Sequence, residues 1–447
     1  MDRQSTSRKD LLTFVPTPSR LPAQSNRGLV EWLKKNFFNG LWNTLLSISV
    51  FVLLFLLLKP FLEWSVINAV WSASTRQECL AVNPDGACWA GVIQWFNNLI
   101  YGRYPDHLQW RVNLGFFLGV LWLLPLSLKK VKQKMVIAVM GVFLFPILAN
   151  YLFLGGESSR FYYILSCASF AYLLVLYINV SLVYLGLLRF GQYLEPLFVR
   201  FSPKRSGLSG DLTSWLLVIV VIAFVFQDLK LELVSVDIWG GLFLTLIISG
   251  FSIVMALPIG IVLALGRRSE MFIIKWFSIC VIELVRSVPM ITVLFMSVTM
   301  MPLFFPNTME LNKLAQVIVA VCLFAGAYMA ETVRGGLQGI TRGQYDAAKS
   351  LGLGYWPTMI FVILPQALRA MIPNIVTSFI SLFKDTTLVS IIGLFDIMLM
   401  ARNIAIDKNW FGLHTEPLVA ISVLFFVFCY SMSQYSQRLE KRLKTDR

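Results

Sequence analysis

The chain has 447 residues, 57% hydrophobic and only 14% charged, where soluble domains run roughly 45–50% apolar and about 25% charged. That balance excludes an ordinary water-soluble enzyme. The formal net charge of +14 would suggest nucleic acid in a soluble protein, but here its placement along the chain gives it another meaning.

The first forty residues carry Arg3, Arg8, Lys9, Arg20, Arg27, Lys34 and Lys35. The apolar run that follows starts too late, is too long and lacks a small-residue cleavage site for a signal peptide, so 1–40 reads as a retained cytoplasmic segment. Apolar stretches of spanning length then fall at 41–62, 112–128, 135–155, 161–188, 213–229, 239–265, 277–304, 313–333, 371–402 and 416–434. A bilayer core about 30 Å thick takes about 20 helical residues, and only helices and closed barrels satisfy every backbone polar group in lipid. These runs are too long and unbroken for barrel strands. The expectation is an all-α, polytopic membrane protein of about ten spanning helices.

With ten spans the loops alternate between two sides. Of the 38 Lys and Arg, 27 fall on the side of the N-terminus and eight on the other. This asymmetry places both termini in the cytoplasm and accounts for most of the +14 as topology rather than as a nucleic-acid surface.

The longest external loop, 63–111, holds Cys79 and Cys88. In an oxidising compartment such as a bacterial periplasm a disulfide between them is expected. A metal is not, since Cys-x8-Cys with only the distant His107 lacks zinc spacing. The other four cysteines lie inside apolar runs and behave as small hydrophobes.

Residues 189–212 form a basic connector containing Pro, Gly and Ser, which divides an N-terminal membrane section (41–212) from a C-terminal one (213–447). Each section opens on the same phrase, Gly40-Leu41-x-x-Thr44-Leu45 and Gly241-Leu242-x-x-Thr245-Leu246, either a trace of duplication or a shared way of starting a helix. Gly115-x-x-x-Gly119 permits a close helix contact, though the pattern is common in membrane helices. There is no phosphate-binding loop, no dinucleotide fingerprint and no His-Glu-x-x-His, and the histidines are His107 and His414 alone.

One cytoplasmic segment is more informative: Gly343-Gln-Tyr-Asp346-Ala347-Ala348-Lys-Ser-Leu-Gly352-Leu-Gly354-Tyr-Trp-Pro357, continuing through Met359 to Leu364 and Pro365. It reads as a short helix whose two alanines admit a partner's backbone, with an acidic residue at its head matching the helix dipole. Gly352 and Gly354 then allow a sharp reversal, and a second apolar helix is interrupted at Pro365. The plain alternative is an amphipathic surface helix followed by a turn.

The segment resembles the EAA loop of permease subunits of bacterial ABC importers, E-A-A-x3-G-x9-I-x-L-P, at Asp346, Ala347, Ala348, Gly352, Val362, Leu364 and Pro365. Two positions depart, Asp346 for Glu and Val362 for Ile, and both keep their character. The resemblance implies a coupling helix, within the loop 334–370, seated on a separate ATPase subunit. Further motifs are similar to the polar amino acid permeases: Glu283-Leu-Val-Arg286-Ser-Val-Pro289, Ala327-Tyr-Met-Ala330-Glu331-Thr-Val-Arg334-Gly335-Gly336 and Lys384-Asp385-Thr386-Thr387-Leu388-Val389. In the external loop, Cys88-Trp89-Ala90, Tyr101-Gly102-x-Tyr104-Pro105 and Trp110-Arg111-Val112 resemble the long permease subunits of general L-amino acid importers, which carry extra N-terminal spans.

Ionisable groups inside spans are costly and mark functional sites by default. Glu283 and Arg286 sit three apart on one helix face and can pair, with Pro289 following. Lys384 and Asp385 lie midway through an apolar stretch beside Thr386 and Thr387. Opposite charges near a midplane suit an amino acid zwitterion, so Glu283, Arg286, Lys384, Asp385 and Thr386 are substrate-path candidates, the alternative being that each pair neutralises itself and locks packing. Glu331 and Arg334 read as a pair near a cytoplasmic helix end.

The resemblance implies a type I (MetI-like) ABC importer permease in the bacterial inner membrane. Its partners are a second permease subunit, an ATPase dimer carrying ATP and Mg, and a periplasmic amino-acid-binding protein, and its substrate is a polar L-amino acid. This chain itself binds no cofactor or metal and hydrolyses nothing. An ion-gradient-driven secondary transporter is the rival reading, and it leaves the EAA-like loop without a purpose.

Overall fold

The computed structural model describes residues 32–33, 36–127, 141, 145–146, 148–155, 231–304 and 312–445. Most of segment 1–40, part of span 135–155, the connector 189–212, and the spans expected at 161–188 and 213–229 lie outside them. The described residues divide into two compact units, one drawn from Met1–Val70 and Leu80–Ala87, the other from Trp71–Cys79 and Cys88–Arg447.

In the first unit, α1 (Leu41–Leu62) is a 22-residue helix, about 33 Å long at 1.5 Å per residue. Ser47 is its buried residue and the apolar side chains point out in every direction, as on a helix surrounded by lipid. The helix starts at Gly40, whose φ of +95° no other residue adopts easily, and the Thr44 hydroxyl donates to the Gly40 carbonyl at 2.9 Å. Past the helix, the Val70 N–H donates to the Ala87 carbonyl at 2.8 Å and the Ala87 N–H to that of Trp64 at 2.9 Å.

The second unit is built around two helices, α6 (Gly241–Arg267) and α9 (Lys313–Gln338). Earlier in the chain lie α2 (Arg76–Val82), α3 (Trp89–Gln94), α4 (Phe96–Tyr101) and α5 (Gln109–Ser127). The seam between α6 and α9 is lined with small residues, including Ala256, Gly260 and Ala264 on one side and Ala320, Gly326, Ala327 and Ala330 on the other. Small side chains let membrane helices approach until dispersion contacts accumulate, which matters where no hydrophobic force separates protein from lipid. A methyl at Gly260 would lie 2.7 Å from the Met329 side chain, and one at Gly326 2.4 Å from Ile259.

The span expected at 277–304 is broken. α7 (Phe272–Ser287) and α8 (Met290–Met300) meet at 109°. Pro289 forces Val288 into extended backbone, φ −107° and ψ 137°, which ends the helix there. The span expected at 371–402 is also redrawn. A helical stretch runs from Tyr355 to Ser390, comprising one turn at Tyr355–Pro357, a π-helical stretch Thr358–Ile363, α11 (Leu364–Asp385) and a 3-10 turn Thr386–Ser390. Pro365 falls in the first turn of α11, where a missing N–H breaks nothing, so it does not interrupt the helix as its sequence position suggested. A turn at Gly393 (φ +81°) leads to the separate short helix α12 (Ile397–Ile404), and α13 (Thr415–Thr445) closes the chain. Among the described residues five helices are long and apolar enough to span, or six with the bent pair, so ten stands only as an approximate count. No strand occurs among them.

The segment before the core docks on it through backbone. Gly102 (φ +68°) lies so near Gly240 that a Cβ would meet the Gly240 Cα at 2.3 Å, and the Arg103 N–H reaches the Ile238 carbonyl at 3.2 Å. A wholly buried Arg111 donates to the carbonyls of Leu152 at 2.7 Å and Glu232 at 2.9 Å.

α6 starts as α1 does, on a positive-φ glycine, Gly241 (φ +62°), with the Thr245 hydroxyl donating back to its carbonyl at 3.1 Å. The repeated phrase is therefore a shared helix start. At α6 the start has a second use, because the Gly241 N–H donates to Phe395 at 2.7 Å and Thr245 Oγ1 accepts the Ile397 N–H at 3.4 Å. Next to them Asp396, fully buried, caps α12 by accepting the Leu399 N–H at 3.0 Å, while its other oxygen has no hydrogen-bond partner among the described residues.

Two predictions follow from these contacts. Gly326→Ile overpacks the α6–α9 seam and should destabilise the protein by about 1–3 kcal/mol, read as a lowered melting temperature in detergent. Gly335→Ala, which meets open space, should leave the melting temperature unchanged. Burial raises the Asp396 carboxyl to about 7. Folding therefore tightens its proton, and stability should fall as pH rises from about 4 through about 7. Asp396→Asn keeps the cap without the charge, so its melting temperature should stay flat between pH 5 and 8 and exceed that of the parent at pH 8. A parent melting temperature that rises over this interval would refute the assignment.

Candidate functional site

Three groups of residues stand out, and the first is the elbow 341–365. Thr341, in extended backbone, precedes α10 (Arg342–Ser350), so Asp346 sits mid-helix rather than at the helix head that the sequence suggested, and its charge does not meet the N-terminal dipole. The helix ends in a glycine-terminated cap: Gly352 (φ +74°) donates its N–H to Lys349 at 2.9 Å, and the Leu353 N–H reaches Ala348 at 3.1 Å. Gly354 then starts the next turn in extended backbone. The two alanines part company. Ala347 is exposed, whereas Ala348 is buried within this chain, where α10 folds back on the π-helical stretch. Only Ala347 is open to another polypeptide, and Ala348 lets the elbow close on itself. Leu364 is buried and Pro365 exposed. Gln366 spans the bend, donating to Gln344 Oε1 at 3.1 Å and to the Val362 carbonyl at 2.9 Å. Leu351 (79% exposed), Tyr355 (51%) and Trp356 (61%) project from the elbow.

The second group is a charge cluster where α6, α7 and α9 converge. Glu283 and Arg286 were expected to pair with each other, and they do not. Glu283 accepts from Arg267 on α6 at 2.7 Å, while Arg286 lies 3.6 Å from Glu331 on α9. The sequence offers three-residue spacing, but tertiary neighbours present better-placed partners. Glu331 also binds Arg334 on its own helix and stands 3.6 Å from Arg267. Glu331 and Arg334, read from sequence as a simple pair, are thus part of a five-residue cluster. The Arg286 guanidinium lies over the Tyr328 ring at 5.5 Å.

The third group is the end of α11. Thr386 is fully buried and donates to its own chain at Phe383 (2.7 Å), so it presents nothing to a path. Asp385 is half-buried, while Lys384 is exposed on the same side as Asn374, Thr377 and Ser381. Spacings of three and four put these polar residues on one helix face. In a spanning helix such a face is stable against water or a partner, not against lipid.

Away from these groups, Cys79 and Cys88 are joined as a disulfide with Cα atoms 5.8 Å apart. The bridge sits in a cap held to the loop before α13 and to the first turn of that helix. Arg76 donates its N–H to Asn409 at 2.9 Å and its guanidinium to Phe411, Cys88 N–H reaches Glu416 Oε1 at 3.1 Å, and Trp410 Nε1 reaches Gln94 at 2.9 Å. Glu78 accepts from the Ser74 N–H and hydroxyl, which holds its carboxyl below the ordinary range. Among the described residues no group of three or more His, Cys, Asp or Glu could hold a metal.

Sequence reasoning missed Arg267, Arg268 and Tyr345. The two arginines were counted as side-determining charge, and Tyr345 lies one residue before the motif begins at Asp346. The available signal was a basic pair at the exact end of an apolar run.

Residues 256–445 match the family described as "Binding-protein-dependent transport system inner membrane component". The chain is 38% identical over 439 residues to the inner membrane amino-acid ABC transporter permease protein YhdY of Escherichia coli (strain K12), covering 98% of this chain and 99% of that one. It is 36% identical over 464 residues to the glutamate/glutamine/aspartate/asparagine transport system permease protein BztC of Rhodobacter capsulatus, covering all of both. The glutamate/aspartate import permease protein GltK of Escherichia coli O6:H1 is 34% identical over 207 residues, 45% of this chain and 91% of that one. A solved amino acid ABC transporter with histidines aligns with 45% of this chain and 92% of that chain at 28% identity, with a TM-score of 0.40.

The disulfide predicts that alkylation without reductant, followed by mass spectrometry, leaves Cys79 and Cys88 unlabelled, and that both label after reduction. Labelling of both beforehand would exclude it.

Proposed function

From the premise that this chain belongs to the amino-acid ABC transporter permeases of the inner membrane, in the form with a long N-terminal region, we propose that it forms one half of an ATP-driven importer for acidic and amide L-amino acids. A soluble binding protein delivers the solute to the periplasmic face, a second, different permease completes the pore, and a separate ATPase dimer with ATP and Mg supplies the energy. Both termini and the elbow face the cytoplasm, in keeping with the side that carries 27 of the 38 basic residues.

The observation that carries this reading is the elbow. It is a nine-residue helix with Ala347 open on its outer face and with Leu351, Tyr355 and Trp356 projecting from the turn beyond it. Large apolar side chains held out on a rigid bend suit insertion into a groove of another protein. Since the chain has no phosphate-binding loop, the nucleotide belongs to that partner. Binding of ATP then shifts the pore between inward- and outward-open states through its differential affinity for the two.

For the solute, the exposed face of α11 is the better candidate. Lys384 is exposed and can meet a carboxylate, and the exposed Asn374, Thr377 and Ser381 beside it are polar groups suited to an acidic or amide side chain. Glu283 and Arg286 are engaged in the charge cluster, and Thr386 is turned inward. The substrate class draws support from the relatives named for glutamate, aspartate and their amides.

In proteoliposomes of the whole complex, glutamate uptake should need ATP and Mg on the ATPase side and survive a protonophore. Lys384→Gln should raise KM at least tenfold, and Leu351→Asp should lower both uptake and the co-purified ATPase at least tenfold. Uptake without ATP that a protonophore abolishes would refute the reading.

A further inference from the structure

The cluster and the elbow are joined at one point of the chain. Arg267 is the last residue of α6 and Arg268 follows it directly. Successive helical residues point about 100° apart and cannot face one site. Accordingly, Arg267 enters the cluster through Glu283 and Glu331, while Arg268 turns to α10. There its guanidinium donates to Tyr345 Oη at 3.2 Å, lies 5.9 Å from the centre of the same ring, and reaches the Leu337 carbonyl near the end of α9 at 3.4 Å.

Within the cluster Glu331 is oversubscribed. One oxygen is engaged by Arg334. The other, Oε2, stands 3.6 Å from Arg267 and 3.6 Å from Arg286, with neither close enough for a hydrogen bond. Two arginines on two different helices thus have equal claims on one oxygen. Because both stand just beyond hydrogen-bond distance and are carried by different helices, a small shift of one helix end closes one contact and leaves the other open, which gives an element with two discrete arrangements.

We propose that Arg268 and Arg267 form the link by which movement of the elbow reaches the helix core, and that Glu331 is the latch they throw. This rests on the reading of α10 as the seat of the ATPase. When α10 shifts, Tyr345 carries Arg268 with it, and Arg267, one residue away on the same rigid helix end, advances on Glu331 or withdraws from it. Advance releases Arg286 and with it the bent α7–α8 segment, and withdrawal returns Glu331 to Arg286. Arg268 and Tyr345 are positioning residues, since they touch no solute.

The test uses the whole complex in proteoliposomes and reads ATP hydrolysed per solute imported. That ratio reports coupling, and a merely structural loss lowers both quantities together. Arg268→Ala and Glu331→Gln should each raise the ratio at least tenfold with the complex intact by size exclusion. Because both act on one linkage in series, the double variant should match the worse single variant within about twofold. An unchanged ratio in R268A, or effects that multiply in the double, would overturn the proposal. If R268A does not assemble, Tyr345→Leu, which removes the same contact from the elbow's side, decides by the same ratio. A parent complex without ATP-dependent uptake would sink the functional reading instead, whereas an active parent with unaltered variants sinks the latch alone.

Discussion

A single carboxylate surrounded by three guanidinium groups organises the elbow end of this protein. Glu331 meets Arg334 on its own helix, Arg267 from α6 and Arg286 from α7. Glu331 and its three arginine partners are partly buried, so removing one leaves another charge less well compensated. The three helices are thereby held in register at a level where apolar packing specifies little, because hydrocarbon and leucine are nearly equivalent neighbours. The cluster of three arginines with Glu283 and Glu331 carries one excess positive charge, so its arrangement is satisfied only in part.

At the opposite end of α6 the constraint is steric. Gly240, Gly241 and Gly102 admit backbone against backbone, and no side chain fits where they meet. The same few residues receive the turn before α12 through Gly241, Thr245 and the buried Asp396. α6 therefore has one end fixed by close glycine contacts and the other by ion pairs, and its small-residue seam with α9 lies between.

The appended region explains why the family's shorter members cover less than half of this chain. Its loop, stapled by Cys79–Cys88, rests on the segment before α13 through Arg76 and Gln94 and on the first turn of α13 through the Cys88 amide. Those contacts are polar and specific, and they join parts of the chain more than 300 residues apart.

By itself the sequence determined that the chain is helical and crosses a membrane, where α1, α6, α9 and α13 begin to within a few residues, and which segment forms the elbow. Each of those follows from local physics: a helix must be long and apolar enough for lipid, and a glycine must stand where φ is positive. Tertiary structure decided the rest. It split the run around Pro289 through 109°, separated α12 from α11, turned Ala348 and Thr386 inward, and paired Glu283 and Arg286 with partners on other helices. The reason is that a charge or a small side chain is served by whichever neighbour the fold brings within a few ångströms. Spacing along one helix offers only the nearest candidates in sequence and is silent on those that arrive from elsewhere.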